Sequence, residues 1–380
     1  MYSAALLGAR LKMYRKRRSF TQRDIAERLF VTEQVVSKWE TGRCYPDVQK
    51  LCALAEVLGV SLDSLLENND ESNGGRLFIG IDGGGTKTDF CLFNESGEVL
   101  MQHRLGGTNP NIYGMDTAVS VLKTGIDLML TLAVKVEGLF AGISGCGLDK
   151  NNKAVFSRLS KLYPDIKIEI SGDIINTIYS TPYSENCIAA IAGTGSVIYI
   201  KNGRELRRIG GWGYLYDRNY NGYYLGSETV RAVLAAEDGI GEKTLLSPML
   251  AEKLGGKATD NINTLFVKTK DEIAAFAPLL FEAYDKGDSV AKRIVAEAAV
   301  LFSDMLRGAI NSTDARTVII SGGLTARKDI LLENLKDIKD VTYIFPEMPS
   351  IYGACKYCVQ RFGKPNKDFN DIFARSYDIR

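Results

Sequence analysis

The sequence predicts a multidomain protein, with an all-α N-terminal domain followed by a larger α/β domain of two lobes. In residues 1–68, apolar residues recur at helical spacing and short turns separate the segments. In the predicted lobes, 77–182 and 183–360, the same plan occurs twice, about 110 residues apart: strand, glycine-rich turn, strand, turn, strand. The polar stretch 69–76 predicts a linker, and residues 361–380 are expected to be a C-terminal tail whose ordering the sequence leaves open. The last helix before residue 360 belongs either to the second lobe or, by returning, to the first.

The N-terminal domain is expected to contain five helices. Their segments are "LLGARLKMYRKRR", "TQRDIAERLF", "TEQVVSKWETG", "DVQKLCALAEVLG" and "SLDSLLE". Thr21 and Thr32 suit the N-caps of the second and third helices, and Gly42 suits the end of the third. Only "FV" joins the second helix to the third, which is the tight connection of a helix-turn-helix.

The composition limits which classes of protein and of catalytic residue are expected. With 45% hydrophobic and 24% charged residues and a formal charge of +1, the 380-residue chain is expected to be globular, cytoplasmic and without a membrane partner. Seven cysteines at irregular spacing favour reduced thiols, and "CKYC" at 355–358 is expected to pack within a helix. The single histidine, His103, is expected to be a solvated residue at a strand end, so acid–base chemistry belongs to carboxylates.

Three consecutive glycines interrupt "FIGIDGGGTKTDF" at residues 78–90. Glycines beside Thr and Lys indicate a backbone that approaches an anion closely. A Walker loop or a dinucleotide fingerprint would open a helix, whereas "TDFCLFN" alternates like a strand. A second such turn lies in "CIAAIAGTGSVIYIK", before an Asn202-Gly203 hairpin, and "TVIISGGLTARKD" predicts a buried strand that leads into a glycine pair and a helix.

The N-terminal domain resembles the Cro/repressor-type (XRE) helix-turn-helix family. The matching residues are Thr21, Gln22, Ile25, Ala26, Val31, Thr32, Val36, Ser37, Trp39, Glu40, Gly42 and Pro46. The resemblance implies a homodimer on an operator with paired half-sites and a third helix in the major groove. The implied DNA-binding residues are Glu33, Gln34, Val35 and Lys38 facing bases, Thr32 beside them, and Gln22 and Arg43 holding phosphates.

Charge supports DNA binding mildly, since residues 1–68 hold eleven Lys/Arg and eight Asp/Glu, a net charge of +3. The run "RKRR" at 15–18 supplies much of this excess and suits phosphate contacts. A helical protein-interaction bundle with a solvated basic face remains the alternative for this domain.

The body resembles the acetate-and-sugar-kinase, chaperone and actin superfamily of ATPases, which have the actin-like (ribonuclease H-like) fold. The matching stretches are "IGIDGGGTKT", "GGTNPNIYG", "ISGDIINT", "IAGTGS", "GGWG", "ISGG" and "SIYGA". Within the superfamily, the nearest relatives are N-acetylglucosamine kinases and the BadF/BadG/BcrA/BcrD-type activator ATPases. This resemblance implies two lobes that face each other across a cleft, ATP and Mg²⁺ as cofactors, and a sugar or amino sugar as substrate.

The resemblance also assigns roles to individual residues. ATP phosphates are expected at Asp82, Gly83, Gly84, Gly85, Thr86, Lys87 and Thr88 in one lobe and at Gly193, Thr194, Gly195 and Ser196 in the other. Asp82 would orient hydrated magnesium, and Gly322 and Gly323 would flank adenosine. Asp173 is the implied general base, and the implied sugar contacts are Asn109, Ser144, Trp212, Gly213 and Asp217.

The segment "YLYDRNYNGYYLG" at 214–226 departs from the kinase pattern. A gapless alignment puts Arg218 at the family's aspartate, Asn219 at its glutamate and Tyr220 at its glycine, although Asp217 replaces the aspartate after a one-residue slip. Two interpretations stay open: a working sugar kinase fused to a DNA-binding domain, or a nucleotide and sugar sensor that controls DNA binding. Repressor–open-reading-frame–kinase proteins are a third option, but they carry a Cys/His zinc motif that this sequence lacks.

Overall fold

The computed structural model describes residues 4–18, 20–66, 75–133, 135–147, 150–182, 185–203 and 205–377. The chain forms two compact units, residues 1–180 together with 349–380, and residues 181–348. Most of the predicted linker 69–76 lies outside the described residues. No helix among the described ranges combines the length and the apolar character that a membrane span requires.

The N-terminal domain contains the five predicted helices. They are α1 Ala4–Arg17, α2 Gln22–Leu29, α3 Glu33–Glu40, α4 Val48–Leu58 and α5 Leu62–Leu66. Thr21 caps α2 through a capping box with Asp24, as predicted. Thr32 occupies the N-cap of α3 with extended backbone, but its side chain makes no capping hydrogen bond, so that part of the prediction is wrong. The buried side chains of all five helices, including Trp39, form one core.

The next part of the first unit is a five-stranded sheet with helices around it. Its elements are β1 Leu77–Gly83, β2 Lys87–Asn94, β3 Val99–Gly106, α6 Pro110–Tyr113, α7 Met115–Leu130, β4 Gly138–Ile143, α8 Lys150–Leu162, β5 Lys167–Ser171 and α9 Ile174–Tyr179. The strand order is β3-β2-β1-β4-β5. β1 pairs antiparallel with β2 and parallel with β4. The glycine turn between β1 and β2 therefore lies at the same edge of the sheet as the carboxyl ends of β1 and β4.

The second unit repeats this sheet. Its elements are β6 Asn186–Ala192, β7 Ser196–Asn202, β8 Glu205–Gly210, α10 Gly222–Glu237, α11 Leu246–Leu254, α12 Ile262–Phe266, α13 Lys270–Ala274, α14 Ala277–Asp285, α15 Ser289–Ile310, β9 Thr317–Ser321, a 3-10 helix Gly323–Arg327, α16 Lys328–Leu335 and β10 Thr342–Ile344. The order β10-β9-β6-β7-β8 mirrors the first sheet, with antiparallel β6–β7–β8 and parallel β6–β9–β10. This duplication confirms the predicted two-lobed α/β architecture.

Two C-terminal helices, α17 Ser350–Phe362 and α18 Phe369–Ser376, complete the first unit. α17 packs on β1 and α9, and Cys355 and Cys358 are buried in it, which confirms that "CKYC" packs within a helix. α18 belongs to the tail, whose ordering the sequence left undecided. The ring of Phe373 in α18 packs edge-to-face against the ring of Tyr352 in α17. His103 is exposed as predicted, but it lies within β3 rather than at the strand end.

Candidate functional site

In the first unit, a tight turn between β1 and β2 leaves backbone donors free. The amide of Gly84 donates to the Lys87 carbonyl at 2.8 Å, and Thr108 N–H donates to the Gly84 carbonyl at 3.1 Å. Among the described residues, the amides of Gly85 and Thr86 have no partner. Two adjacent free N–H groups in a turn form a concave site for an anion.

The neighbours of this turn explain its glycine and threonine residues. A Cβ at Gly83 would lie 2.5 Å from the Thr108 hydroxyl, so a side chain there would displace Thr108. Thr88 is fully buried, and its hydroxyl lies 2.9 Å from that of Thr108, so Thr88 fastens the turn to the loop after β3. Lys87 keeps its ammonium group largely exposed, 3.8 Å from a carboxylate oxygen of Asp89.

Two carboxyl groups lie at the same edge of the first sheet. Asp82 ends β1, and its Oδ1 accepts a hydrogen bond of 2.6 Å from Asn176 Nδ2. The pKa of Asp82 is raised to about 7: burial and, less strongly, the charge of Asp173 raise it, and the Asn176 hydrogen bond opposes the rise. The two predicted carboxylates are therefore close enough to influence each other.

Asp173, directly before α9, ends a chain of polar side chains. Asn109 Nδ2 donates to Ser144 Oγ at 3.3 Å, and the Ser144 hydroxyl is near enough to Asp173 to act on its pKa. Burial raises the pKa of Asp173 to about 6, and the Ser144 hydrogen bond opposes this rise. The structure thus brings together Asn109, Ser144 and Asp173, which are far apart in the sequence.

In the second unit, the β6–β7 turn has the same free donors. The amide of Gly193 donates to the Gly195 carbonyl at 2.9 Å, and within the described part of the chain the amides of Thr194 and Gly195 lack a partner. The first residues of α10 hold this turn, because Gly222 N–H donates to the Gly193 carbonyl at 2.7 Å and Tyr223 N–H to the Thr194 carbonyl at 3.0 Å.

Asn219 and Tyr220, which depart from the kinase pattern, both point into the second unit. The Ser196 hydroxyl hydrogen-bonds Asn219 Oδ1, which also accepts from Asn221 Nδ2 at 2.7 Å. Tyr220 is fully buried beside the rings of Phe281 and Phe302. The sequence analysis did not predict that Asn219 joins the glycine turn to Asn221, the N-cap of α10. An asparagine before a helical pattern is an N-cap signal, and Asn221 would have located this contact.

The predicted sugar contacts of the second unit lie after β8. Trp212 is 65% exposed, and the Arg208 guanidinium lies 4.2 Å from its ring centroid. Asp217 Oδ2 accepts a hydrogen bond of 2.8 Å from Gly213 N–H, which holds this loop closed. Arg218 is exposed and lies over the Tyr224 ring at 5.8 Å.

The predicted adenosine glycines follow β9. Gly322 has a φ of +106°, and a Cβ there would lie 2.3 Å from the Ala192 carbonyl oxygen, so a side chain is excluded. Gly323 begins the 3-10 helix, and a Cβ there would meet no atom within 4 Å. The glycine pair therefore offers an open stretch of backbone at the end of β9.

In the N-terminal domain, the predicted base-facing surface is accessible. Thr32, Glu33, Gln34, Lys38 and Arg43 are exposed, whereas Val35 is half-buried against the core. The amide of Gln22, predicted to hold a phosphate, donates instead to Glu40 Oε2 at 2.7 Å.

The described side chains of the basic run 15–18 are Arg15 and Arg18, and both make contacts within the domain. Arg15 is buried and pairs with Glu40 at 2.5 Å, so the prediction of a phosphate contact is wrong for Arg15. Arg18 donates to the Leu58 carbonyl at 3.0 Å. The side chains of Lys16 and Arg17 lie outside the described part of the chain.

The donors present fit a magnesium-bound nucleotide. Free amides in the two glycine turns suit phosphate oxygens, since backbone N–H groups are the usual ligands of bound phosphate. Asp82 has the hard oxygen atoms that could hold Mg²⁺ or its waters, and the Asn176 hydrogen bond is of the kind that supports such ligands.

The fold and these sites define a helix-turn-helix domain joined to a two-lobed α/β body with the fold of actin-like kinases. The chain belongs to the BadF/BadG/BcrA/BcrD ATPase family, whose model matches residues 79–355. A helix-turn-helix domain model matches residues 6–67.

Individual relatives of the body include sugar kinases. The chain is 28% identical over 302 residues to the N-acetyl-D-glucosamine kinase of Dictyostelium discoideum, covering 73% of this chain and 94% of that one. It is 31% identical over 230 residues to the N-acetylmuramic acid/N-acetylglucosamine kinase of Clostridium acetobutylicum, covering 58% and 75%. A candidate N-acetylglucosamine kinase from Chromobacterium violaceum has the same fold, with a TM-score of 0.61 at 22% identity over 74% of this chain and 98% of that one.

Proposed function

We propose that the protein is a DNA-binding transcriptional regulator whose body binds ATP-Mg²⁺ and phosphorylates an amino sugar, with Asp173 as general base. One observation carries the proposal: Asp173 and the hydrogen-bonded pair Asn109–Ser144, whose hydroxyl acts on the pKa of Asp173, lie at the sheet edge that also holds Asp82. The similarity of the body to N-acetylglucosamine kinases supports the substrate class.

The residues of this chain divide the work of phosphoryl transfer. Asp173 accepts the proton of the attacking sugar hydroxyl, and Ser144 holds the carboxylate in place through its hydrogen bond. The free amides of the β1–β2 turn, in the same unit as Asp173, stabilise negative charge on phosphate oxygens. When bound, ATP would supply the phosphoryl group and Mg²⁺ would neutralise charge on the departing ADP.

Release of ADP tests the enzymatic half of the proposal. Titration with ATP-Mg²⁺ and a panel of amino sugars is expected to give turnover with one class of sugar. Asp173→Asn should abolish that turnover while ATP still binds, because the amide cannot accept the proton. Asp116→Asn is the matched control, since Asp116 is an exposed carboxylate at the start of α7, paired with Arg158. Equal turnover by Asp173→Asn and the wild type would refute the assignment.

The exposed first turn of α3 supports the DNA-binding half. Duplexes selected from a random library by the protein should lose affinity for Gln34→Ala, because Gln34 is exposed where a recognition helix contacts bases. Gln49→Ala is the control, since Gln49 is also exposed, on α4 of the same domain. Selection of no sequence, or equal loss in both variants, would contradict specific DNA binding. A homodimer is part of the proposal, and a selected palindrome would support it.

A sensor without catalysis is the second candidate. It is favoured by the segment 214–226, where Asn219 and Tyr220 are turned inward and Arg218 is exposed. In that case, ATP or a sugar changes the affinity for DNA while no phosphorylated sugar forms. Measuring DNA affinity and ADP release in the same mixtures separates the two candidates.

A further inference from the structure

We infer that Asn176 is a positioning residue that fixes the Asp82 carboxylate for the magnesium–nucleotide complex. The inference rests on the proposed function, and it gives a role to a residue of the "ISGDIINT" stretch to which the sequence assigned none. Asn176 lies in the first turn of α9, three residues after Asp173, so one turn of helix carries both the expected base and the support of the expected magnesium carboxylate.

Two acceptors fix the orientation of the Asn176 amide. Its Nδ2 donates to Asp82 Oδ1 at 2.6 Å and to the Gly142 carbonyl at 3.1 Å. Gly142 is the β4 neighbour of Asp82 in the sheet register, so the amide bridges adjacent strands. With both protons used, the amide cannot flip, and Asp82 Oδ1 is occupied while its other oxygen is left for a ligand.

Two glycines make the room that Asn176 occupies. A Cβ at Gly142 would lie 2.0 Å from Asn176 Oδ1, and a Cβ at Gly353 of α17 would lie 1.8 Å from the Asn176 carbonyl oxygen. Glycine on both sides therefore allows α9 to approach the strand edge closely enough for the hydrogen bond to Asp82.

Packing alone does not explain an asparagine at this position. Asn176 is fully buried, and among the described residues its Oδ1 has no hydrogen-bond partner. Its buried neighbours on α9 include Ile174, Ile175 and Ile178. A buried polar side chain with an unsatisfied oxygen is expected where function, rather than stability, selects it.

Four proteins separate positioning from packing: the wild type, Asn176→Ala, Gly142→Ala and the double variant. The methyl group of Gly142→Ala clashes with the Asn176 side chain, but in the double variant it fills the space that Asn176→Ala opens. We therefore expect Gly142→Ala to lower the ligand-free melting temperature and the double variant to recover most of it. Ser180→Ala is the control for losing a buried hydrogen bond on the same segment, away from Asp82.

The decisive measurement is the melting temperature with ADP alone and with ADP plus increasing Mg²⁺. In Asn176→Ala and in the double variant, we expect the shift with ADP alone to persist and the Mg²⁺ affinity to fall about 10–100-fold, as for other residues that support metal ligands. Wild-type Mg²⁺ affinity in the double variant would overturn the inference and leave the proposed function intact. Absence of any Mg²⁺-dependent shift in the wild type would overturn both.

Discussion

At Asp173, burial and hydrogen bonding act on the same carboxyl group in opposite directions. Burial raises its pKa to about 6, whereas the Ser144 hydroxyl and backbone donors near the start of α9 lower it. A base with this pKa is mostly ionised at neutral pH and still accepts a proton readily. The expected pH dependence of catalysis follows from this balance.

Ser144→Ala is expected to shift the acidic limb of kcat/KM to higher pH. In the wild type this limb should lie near pH 6, because Asp173 cannot accept a proton once it is protonated. Loss of the Ser144 hydrogen bond removes one effect that lowers the pKa, so the limb moves upward. A profile of kcat/KM from pH 5 to 9 measures the shift, and Ser144→Thr, which keeps the hydroxyl, should leave the limb in place. A downward shift in Ser144→Ala would contradict this account.

Phe30 has a left-handed backbone conformation that is expected to affect the stability of the N-terminal domain. It ends α2 with a φ of +53°, a left-handed conformation that costs a non-glycine residue about 1–2 kcal/mol, and its side chain is 93% exposed. Phe30→Gly should therefore raise the free energy of unfolding of the N-terminal domain by about 0.5–1 kcal/mol. Urea unfolding checks this, with Phe30→Leu as a control that keeps the strain. Destabilisation by Phe30→Gly would show that the ring makes contacts in solution.

At the scale of elements, the N-terminus of α10 and the second glycine turn form one hydrogen-bonded assembly. Asn219 joins the Ser196 hydroxyl to Asn221, and Asn221 Oδ1 caps α10 by accepting from Tyr224 N–H at 2.8 Å. The start of α10 thus holds the β6–β7 turn, and the free amides of the turn keep a fixed direction.

Asn219→Ala is expected to weaken ATP binding about tenfold without unfolding the unit. The change removes one hydrogen-bonding group from the turn anchor and leaves the buried Ser196 hydroxyl unpaired, an effect of about 1–3 kcal/mol. Calorimetric titration with ATP-Mg²⁺ measures the affinity. Thr229→Val serves as the control, since it deletes a buried hydroxyl bond to the Leu225 carbonyl on the same helix. Equal losses in both variants would mean that Asn219 acts through general stability alone.

Local patterns predicted most of these elements. Alternating residues around the two glycine turns predicted β1–β2 and β6–β7, and helical spacing predicted α1–α5. The missing Thr32 cap and the internal pairing of Arg15 were not predictable, because both depend on which side chains the folded domain brings within reach.

At the scale of the whole molecule, the two sheets share one strand order and one pattern of parallel and antiparallel pairs. Each has a glycine turn with free amides at the equivalent hairpin. A ligand that binds one conformation of such a chain more tightly than another shifts the population toward it, and a sensor of ligand would act through this difference in affinity.

Saturating ATP-Mg²⁺ and sugar are expected to change the affinity for operator DNA by about 5-fold or more, the usual size of allosteric coupling. By linkage, operator DNA should change the affinity for the nucleotide by the same factor. Fluorescence anisotropy at constant ionic strength measures both, and Asp173→Asn should keep the coupling because it removes proton transfer and not binding. An operator affinity that is independent of both ligands would rule out regulation by the body.

The sequence by itself determined the helix-turn-helix segment, the duplicated strand–turn–strand units and the glycines of the turns. These features depend on a few consecutive residues, whose spacing and backbone preferences are visible in the chain. Only the tertiary structure decided that Asn176 supports Asp82, 94 residues away, that Ser144 links Asn109 to Asp173, and that Asn219 faces inward. Such contacts depend on how helices and sheets pack, and packing is a property of the folded chain as a whole.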